Sequence, residues 1–356
     1  MLVTGNPIID EDISEILSEP LEWSNFSGKS VLVTGANGML PSYIVYTLLA
    51  LNESVLKDNP CAIIALVRDK EKAMLKFKHF ASRSDFKLIV SDVSCFEEYD
   101  GNIDIIIHAA SQASPRFYGT DPVGTLRANT VGTLNLLELA RKKVLKKFLY
   151  VSSGEVYGVQ DGIGSSPIVD ESCKGNVDCT NVRSCYAESK RMGETMCVCY
   201  AHQYGLHMNM VRLAHTYGPG CALDDGRVFA DFVRNIVQNK NIKVNSDGSA
   251  RRCFMYVTDM IKGLFYVLLK GKNAEAYNIS SMTETSIKDL ANMLCALYPE
   301  KNLHSEFLPL KDDNSYMRSK VQGMVMDNSK LRSLGWEESV PVKTGFRRMI
   351  DSYMLS

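Results

Sequence analysis

Ser30-Val31-Leu32-Val33-Thr34, running into Gly35-Ala36-Asn37-Gly38-Met39-Leu40-Pro41, is the stretch on which the fold turns. The first five residues are a short run rich in β-branched side chains, and two glycines make a tight turn behind them. Residues 40–51 then read as a helix buried along one face. Glycines between a strand and a helix let the backbone approach a pyrophosphate, and the helix N-terminus supplies free N–H groups and a positive dipole end. A glycine turn alone is a weak signal. Its position at the head of a βαβαβ unit makes Gly35, Asn37, Gly38, Met39 and Leu40 candidate dinucleotide contacts. Pro41 stands where the third glycine of such a loop is expected. Proline is tolerated in a helix's first turn, but its ring must alter the packing of helix on sheet.

Outward from this loop the alternation continues. Residues 62–67, 87–90, 104–108 and 148–152 read as apolar strands, with helices over 69–80 and 123–141 between them. That rhythm predicts an α/β fold, a Rossmann-type doubly wound parallel sheet, with a smaller C-terminal substrate-binding lobe. Beyond Arg212 the rhythm loosens into loops and scattered helices. The expected division is an acidic extension over 1–28, a dinucleotide-binding domain over 29–212, and a mainly substrate-binding lobe over 213–356. The extension holds six carboxylates and no lysine or arginine before Lys29. Despite some helical periodicity over 9–23, it is expected on the surface or against a neighbouring subunit.

Composition removes several function classes. With 40 basic and 41 acidic residues the net charge is −1, so no field gathers nucleic acid or anionic lipid. No apolar run approaches the ~18 residues of a membrane span. The N-terminus lacks a basic patch followed by an apolar core. Ten cysteines without such a leader read as reduced thiols, which predicts a cytoplasmic location. Cys173, Cys179 and Cys185 recur every six residues, but no second ligand cluster accompanies them and no metal is expected.

The choice of dinucleotide turns on Leu66-Val67-Arg68-Asp69. An acidic residue ending the second strand would accept hydrogen bonds from the ribose 2′-OH of NAD. Arg68 could instead pair with the 2′-phosphate of NADP or stack on adenine, and Asp69 could simply cap the next helix. Asp92 and Val93, after the third strand, are candidate adenine contacts. NAD is the preferred reading on the reaction type argued below, with NADP as the alternative.

Tyr186…Lys190 places a phenol and an ammonium on one helix face, one turn apart. A neighbouring ammonium and a nicotinamide cation are expected to lower the phenol's pKa, so that it can take a hydroxyl proton while hydride leaves carbon. The spacing is cheap: Tyr266…Lys270 and Tyr316…Lys320 share it. Only Tyr186…Lys190 follows a serine-bearing strand end, Ser152-Ser153-Gly154-Glu155-Val156-Tyr157-Gly158.

These segments, with His108-Ala109-Ala110, Asn129-Thr130-Val131-Gly132-Thr133 and Arg212…Tyr217-Gly218-Pro219, keep the order of a known family. From about residue 28 to 336 the chain resembles extended short-chain dehydrogenases of the nucleotide-sugar epimerase/dehydratase/decarboxylase group. Ala113-Ser114-Pro115, Cys185-Tyr186-Ala187-Glu188-Ser189-Lys190-Arg191, Asp225-Gly226-Arg227-Val228 and Gly248-Ser249…Arg252-Cys253-Phe254 are most similar to UDP-glucuronate decarboxylases. The resemblance implies a catalytic set of Ser153, Glu155, Tyr186 and Lys190, with Ser153 on the sugar 4-OH and Glu155 near C5 and C6. It implies cofactor contacts at Ala109, Ala110, Ser111 and Asn129. It also implies a nucleotide-sugar partner held by Ser114, Pro115, Arg227, Val228 and Arg252, the last on the diphosphate.

Plainer readings stand beside these. Glu155 could face solvent, Arg252 could be half of a solvated pair with Arg251, and His215 could be a satisfied core histidine rather than a substrate contact. After oxidation at C4, three outcomes are open: loss of CO2, loss of water from C6, or return of hydride to the other face. Glu155 speaks against a plain epimerase, and Gly154 replaces the aspartate some dehydratases use. Decarboxylases of the group carry a late arginine; here no arginine is in register, and Arg318 lies nearby. His215 and Gly220 also depart from the group's pattern. An NADPH-dependent reductase and a non-catalytic dinucleotide-sensing protein are the remaining alternatives. Residues 123–141 and 184–204 are apolar enough to form a four-helix interface, so a homodimer is expected.

Overall fold

The computed structural model describes residues 4–159, 166–308 and 323–355. Its centre is a parallel sheet of seven strands. In spatial order these are Glu275–Ile279, Met208–Leu213, Lys147–Ser153, Ile105–His108, Ser30–Thr34, Ala62–Val67 and Phe86–Val90. Val31 to Val33 pair in register with Ile63 to Ala65 on one side and with Ile105 to Ile107 on the other. The inner strands are buried on both faces, which is why they read as unbroken apolar runs rather than alternating ones. Strand order reverses direction at Ser30–Thr34. The crevice at the carboxyl ends of this strand and Ile105–His108 is therefore the switch point, where a doubly wound sheet binds its ligand.

The expected division of the chain meets one complication. Glu275–Ile279 lies well beyond residue 212 yet returns to the sheet, pairing parallel with Met208–Leu213. The substrate-side material also includes a three-stranded sheet containing Arg251–Tyr256 and His215–Tyr217, and the helix Val228–Val237.

Two expectations are corrected. The helix foreseen over 123–141 is two helices, Pro122–Asn129 and Val131–Lys143, broken at Thr130. The acidic extension is not a surface appendage. Its helix Pro7–Leu17 packs on Met39–Glu53, Val257–Lys270 and Val342–Met354, and Ile16, Trp23 and Phe26 join the core. Asp12 is fully buried, with Arg348 Nη2 at 2.5 Å and the Tyr43 and Tyr256 hydroxyls donating at 2.7 and 2.9 Å. Glu15 and Glu19 both meet Lys262, at 2.9 and 3.2 Å. Asp12, Glu15 and Glu19, which made this segment look solvated, are paired with cations supplied from residues 262 and 348, far away in sequence.

Candidate active site

The glycine loop is built as its sequence demands. Gly35 has φ +65°, and a Cβ there would lie 2.9 Å from the Ala110 Cα, so neither side chain nor ordinary backbone geometry fits. Gly38 caps the helix Met39–Glu53, and Pro41 sits in its first turn, where its missing N–H costs nothing. The next loop is fastened to the first. Thr34 Oγ1 accepts from Ala109 N and Ala110 N at 3.1 and 3.0 Å. With both lone pairs used, its hydroxyl proton goes to His108 Nδ1, 2.8 Å away, and His108 Nε2–H then donates to Thr133 Oγ1 at 3.0 Å. Burial and the Lys190 charge push His108 down to about 3, so this buried link is a neutral imidazole.

Around the loops opens a cavity of about 1240 Å³. Gly35, Asn37, Gly38, Met39, Leu40, Arg68, Asp92, Val93, Ala109, Ala110 and Ser111 line one part of it. Ser114, Pro115, Ser153, Glu155, Tyr186, Lys190, His215, Arg227, Val228 and Arg252 line the rest. The structure thus brings almost every residue named from sequence to one space. Asn129 is not among the lining residues: it is fully buried and its amide donates to Ser189 Oγ at 2.9 Å, so it braces the helix Ser184–Tyr204. Arg318 and the Tyr316…Lys320 pair lie outside the described residues. Tyr266, of the other stray pair, donates to Glu19 Oε2, and Lys270 caps the Leu334 carbonyl.

Tyr186 and Lys190 stand on Ser184–Tyr204. Lys190 is 2 % exposed; its Nζ donates to the Val151 carbonyl at 2.7 Å and lies 5.8 Å from the Tyr186 ring centroid. Burial pushes its pKa down to about 7 against the pull of Glu194. Without a cofactor, burial pushes the Tyr186 phenol up to about 12, while Ser153 and Arg227 act the other way and Glu155 adds to the rise.

Behind Lys190 lies a bridge the sequence reading did not find. Glu194, one turn along the same helix face, is gripped by Arg212 at 3.0 and 2.7 Å and receives the Ser152 hydroxyl at 2.5 Å. Tyr118 was also missed: its ring stacks on Tyr186 with centroids 4.9 Å apart. So was Arg183, whose guanidinium forks onto the Glu155 carboxylate at 2.9 and 3.0 Å. A signal for Arg183 existed, since positions 183, 186 and 190 share one helix face. Tyr118 carried none; only the fold brings it to Tyr186.

On the far wall, Arg227 is held to Asp225 at 3.1 Å, and the Ser114 hydroxyl bonds the Asp225 carbonyl. His215 faces the cavity. Crowding by the cavity walls and the guanidinium charges of Arg252 and Arg227 push its imidazole down to about 3. Asp69 settles as a helix cap, accepting from Lys72 N at 3.1 Å, while Arg68 reaches the cavity. Burial acts to raise Asp92, but hydrogen bonds from Ser94 and the charges of Arg68 and Arg127 hold it below the usual carboxylate value.

Comparison with known proteins agrees with this layout. Residues 31–280 match the NAD dependent epimerase/dehydratase family. UDP-glucuronic acid decarboxylase 6 of Arabidopsis thaliana is 33 % identical over 347 residues, covering 95 % of this chain and 93 % of that protein. UDP-glucuronic acid decarboxylase 1 of Danio rerio is 33 % identical over 91 % of this chain and 72 % of its own. Among solved structures, UDP-glucose 4-epimerase of Thermotoga maritima with UDP-glucose superposes with TM-score 0.75 at 22 % identity, covering 91 % of this chain and 98 % of that one. UDP-glucuronic acid 4-epimerase of Bacillus cereus, in complex with UDP-glucuronic acid and NAD, gives 0.74 at 23 %, covering 92 % and 100 %. The ordered motifs, the switch-point cavity and these matches make the chain a member of the NAD-dependent epimerase/dehydratase family.

Proposed function

We propose that the chain is a nucleotide-sugar decarboxylase acting on UDP-glucuronate through a 4-keto sugar. The observation that carries this is the cavity, which brings Ser153, Glu155, Tyr186 and Lys190 into one space with the glycine loop, Arg227 and Arg252. The curated relatives named as UDP-glucuronic acid decarboxylases support the substrate.

The residues present fit NAD: a Cβ at Gly35 would fill the space against Ala110, and the helix behind Gly38 offers its N-terminus. Held by Gly35, Gly38 and the start of that helix, NAD would supply a hydride acceptor and donor for C4. Tyr186 takes the C4 hydroxyl proton, Ser153 orients that hydroxyl, and Lys190 lowers the cost of the phenolate. A ketone at C4 makes the C6 carboxylate that of a β-keto acid, so the C5–C6 bond breaks with its electrons delocalised onto the C4 oxygen, and C5 then takes a proton. Water loss by an acid at position 154 is disfavoured, because a Cβ on Gly154 would lie 2.6 Å from Met326 Sδ.

Among the described residues no helix is long and apolar enough to cross a membrane. A cytoplasmic location and a homodimer belong to the same reading. Val123, Leu126, Val131 and Leu134 are exposed on the two helices over 122–143, and Met192 and Val198 on the catalytic helix, which supports that pairing face. The test is incubation with UDP-glucuronate, UDP-glucose and GDP-mannose, followed by mass analysis of products. Loss of CO2 from UDP-glucuronate alone is expected. Water loss from a hexose, or an epimer of unchanged mass, would replace this reading.

A further inference from the structure

Glu155 faces the sugar subsite with its charge already engaged. Arg183 Nη1 lies 2.9 Å from one carboxylate oxygen and Nη2 3.0 Å from the other, a fork-to-fork pair. Both side chains line the cavity, with 21 % of Arg183 and 33 % of Glu155 exposed, so a ligand can reach either. The Arg183 guanidinium also stands 5.9 Å from the Tyr118 ring centroid, and that ring stacks on Tyr186. Tyr118 thus links Arg183 to the phenol that must meet C4. The Glu155 charge bears on the same phenol, so a substituent on a ring carbon next to C4 comes within reach of the wall formed by Glu155 and Arg183.

A hexuronate brings a second carboxylate to that wall. Two carboxylates side by side repel, and the pair is tolerated when a cation lies between them. Arg227, the other arginine whose charge bears on Tyr118, is bridged to Asp225. A guanidinium has five N–H donors in a rigid plane and can hold two carboxylates at once, which a lysine ammonium does with far less directional order.

We infer that Arg183 is the specificity-determining residue of the sugar subsite: it bridges Glu155 and the C5 carboxylate of the substrate, and so separates a nucleotide hexuronate from the corresponding hexose. This rests on the decarboxylase reading above and assigns the charge recognition to a residue at the head of the catalytic helix.

The experiment is titration calorimetry on NAD-loaded wild type, R183K and R183M with UDP-glucuronate, UDP-glucose and UDP. R183M is expected to raise Kd for UDP-glucuronate about tenfold or more, a change of about 1.4 kcal/mol, and to leave UDP-glucose and UDP within about threefold. R183K, which keeps the charge and loses the fork, should fall between. Unchanged UDP affinity reports an intact fold; should R183M fail to fold, the R183K ratio of the two sugars decides alone. Equal weakening of all three ligands, or of none, overturns the inference. Failure of the parent reading looks different: wild type itself would release no CO2 from UDP-glucuronate. Wild type that decarboxylates while R183M keeps its preference sinks only the role of Arg183.

Discussion

Lys190 carries the sharpest expectation at the scale of single residues. A lysine moved from an ordinary 10.5 to about 7 by burial binds fewer protons when folded than when unfolded across that window. The unfolding free energy therefore rises with pH through it, and the cost of burying the cation is felt in full below it. The urea midpoint should climb between pH ~7 and ~9.5, and K190M should lack that increment. Glu194 acts on the same group from below. Replacing it by Gln leaves the Arg212 guanidinium, only 14 % exposed, without its carboxylate, at a cost of about 3 kcal/mol. The same change removes the charge that supports Lys190, so the pH profile of turnover should shift to lower pH as well as the melting point falling. A purely structural Glu194 would move the melting point alone. Tyr186→Phe removes the proton acceptor while keeping the stack on Tyr118, and should cut kcat by about 10³ with the thermal transition unchanged.

At the scale of elements, two helices do most of the organising. Ser184–Tyr204 carries Tyr186 and Lys190 inward, braced by Asn129 through Ser189 and by Ser152 and Arg212 through Glu194. Pro7–Leu17 works from the other side. It lies against the helix that follows the glycine loop and against the C-terminal helix, so it ties the start of the dinucleotide-binding unit to the end of the chain. Ile16 is fully buried there, and Ile16→Ala should cost about 3 kcal/mol in urea unfolding. A merely decorative extension would give a change within about 0.5 kcal/mol. Because Met39–Glu53 leads out of the loop that would hold the pyrophosphate, the same variant should also weaken NAD binding, read by the concentration of NAD needed to stabilise the melt.

For the whole molecule the open surface is the argument. Leu126, Leu134 and Val198 are 38, 43 and 43 % exposed on helices that flank one another. A pair of chains stacking these helices would bury these side chains as a four-helix layer beside, not across, the cavity. Sedimentation should then report twice 39.7 kDa for the wild type and a single chain for L126D/V198D. Monomeric wild type would end the proposal for a homodimer.

What the sequence determined by itself was most of what is local or periodic, the break at Thr130 excepted. Residues 30–41 spell a strand, a turn that only glycine can make and a helix start; the apolar runs spell a covered parallel sheet; and the order of motifs predicts the family. Those properties depend on backbone conformation and spacing, which neighbours in the chain dictate. What only the tertiary structure decided was the partner of each charge. Asp12, Glu15 and Glu19 read as solvated because Lys262 and Arg348 are more than 240 residues away. Asn129 read as a cofactor contact because nothing local shows that Ser189 stands above it. Glu155 read as a lone carboxylate because Arg183 meets it only when strand and helix close on one another. An ion pair's worth depends on distance and burial, and both are set by the folded chain rather than by position along it.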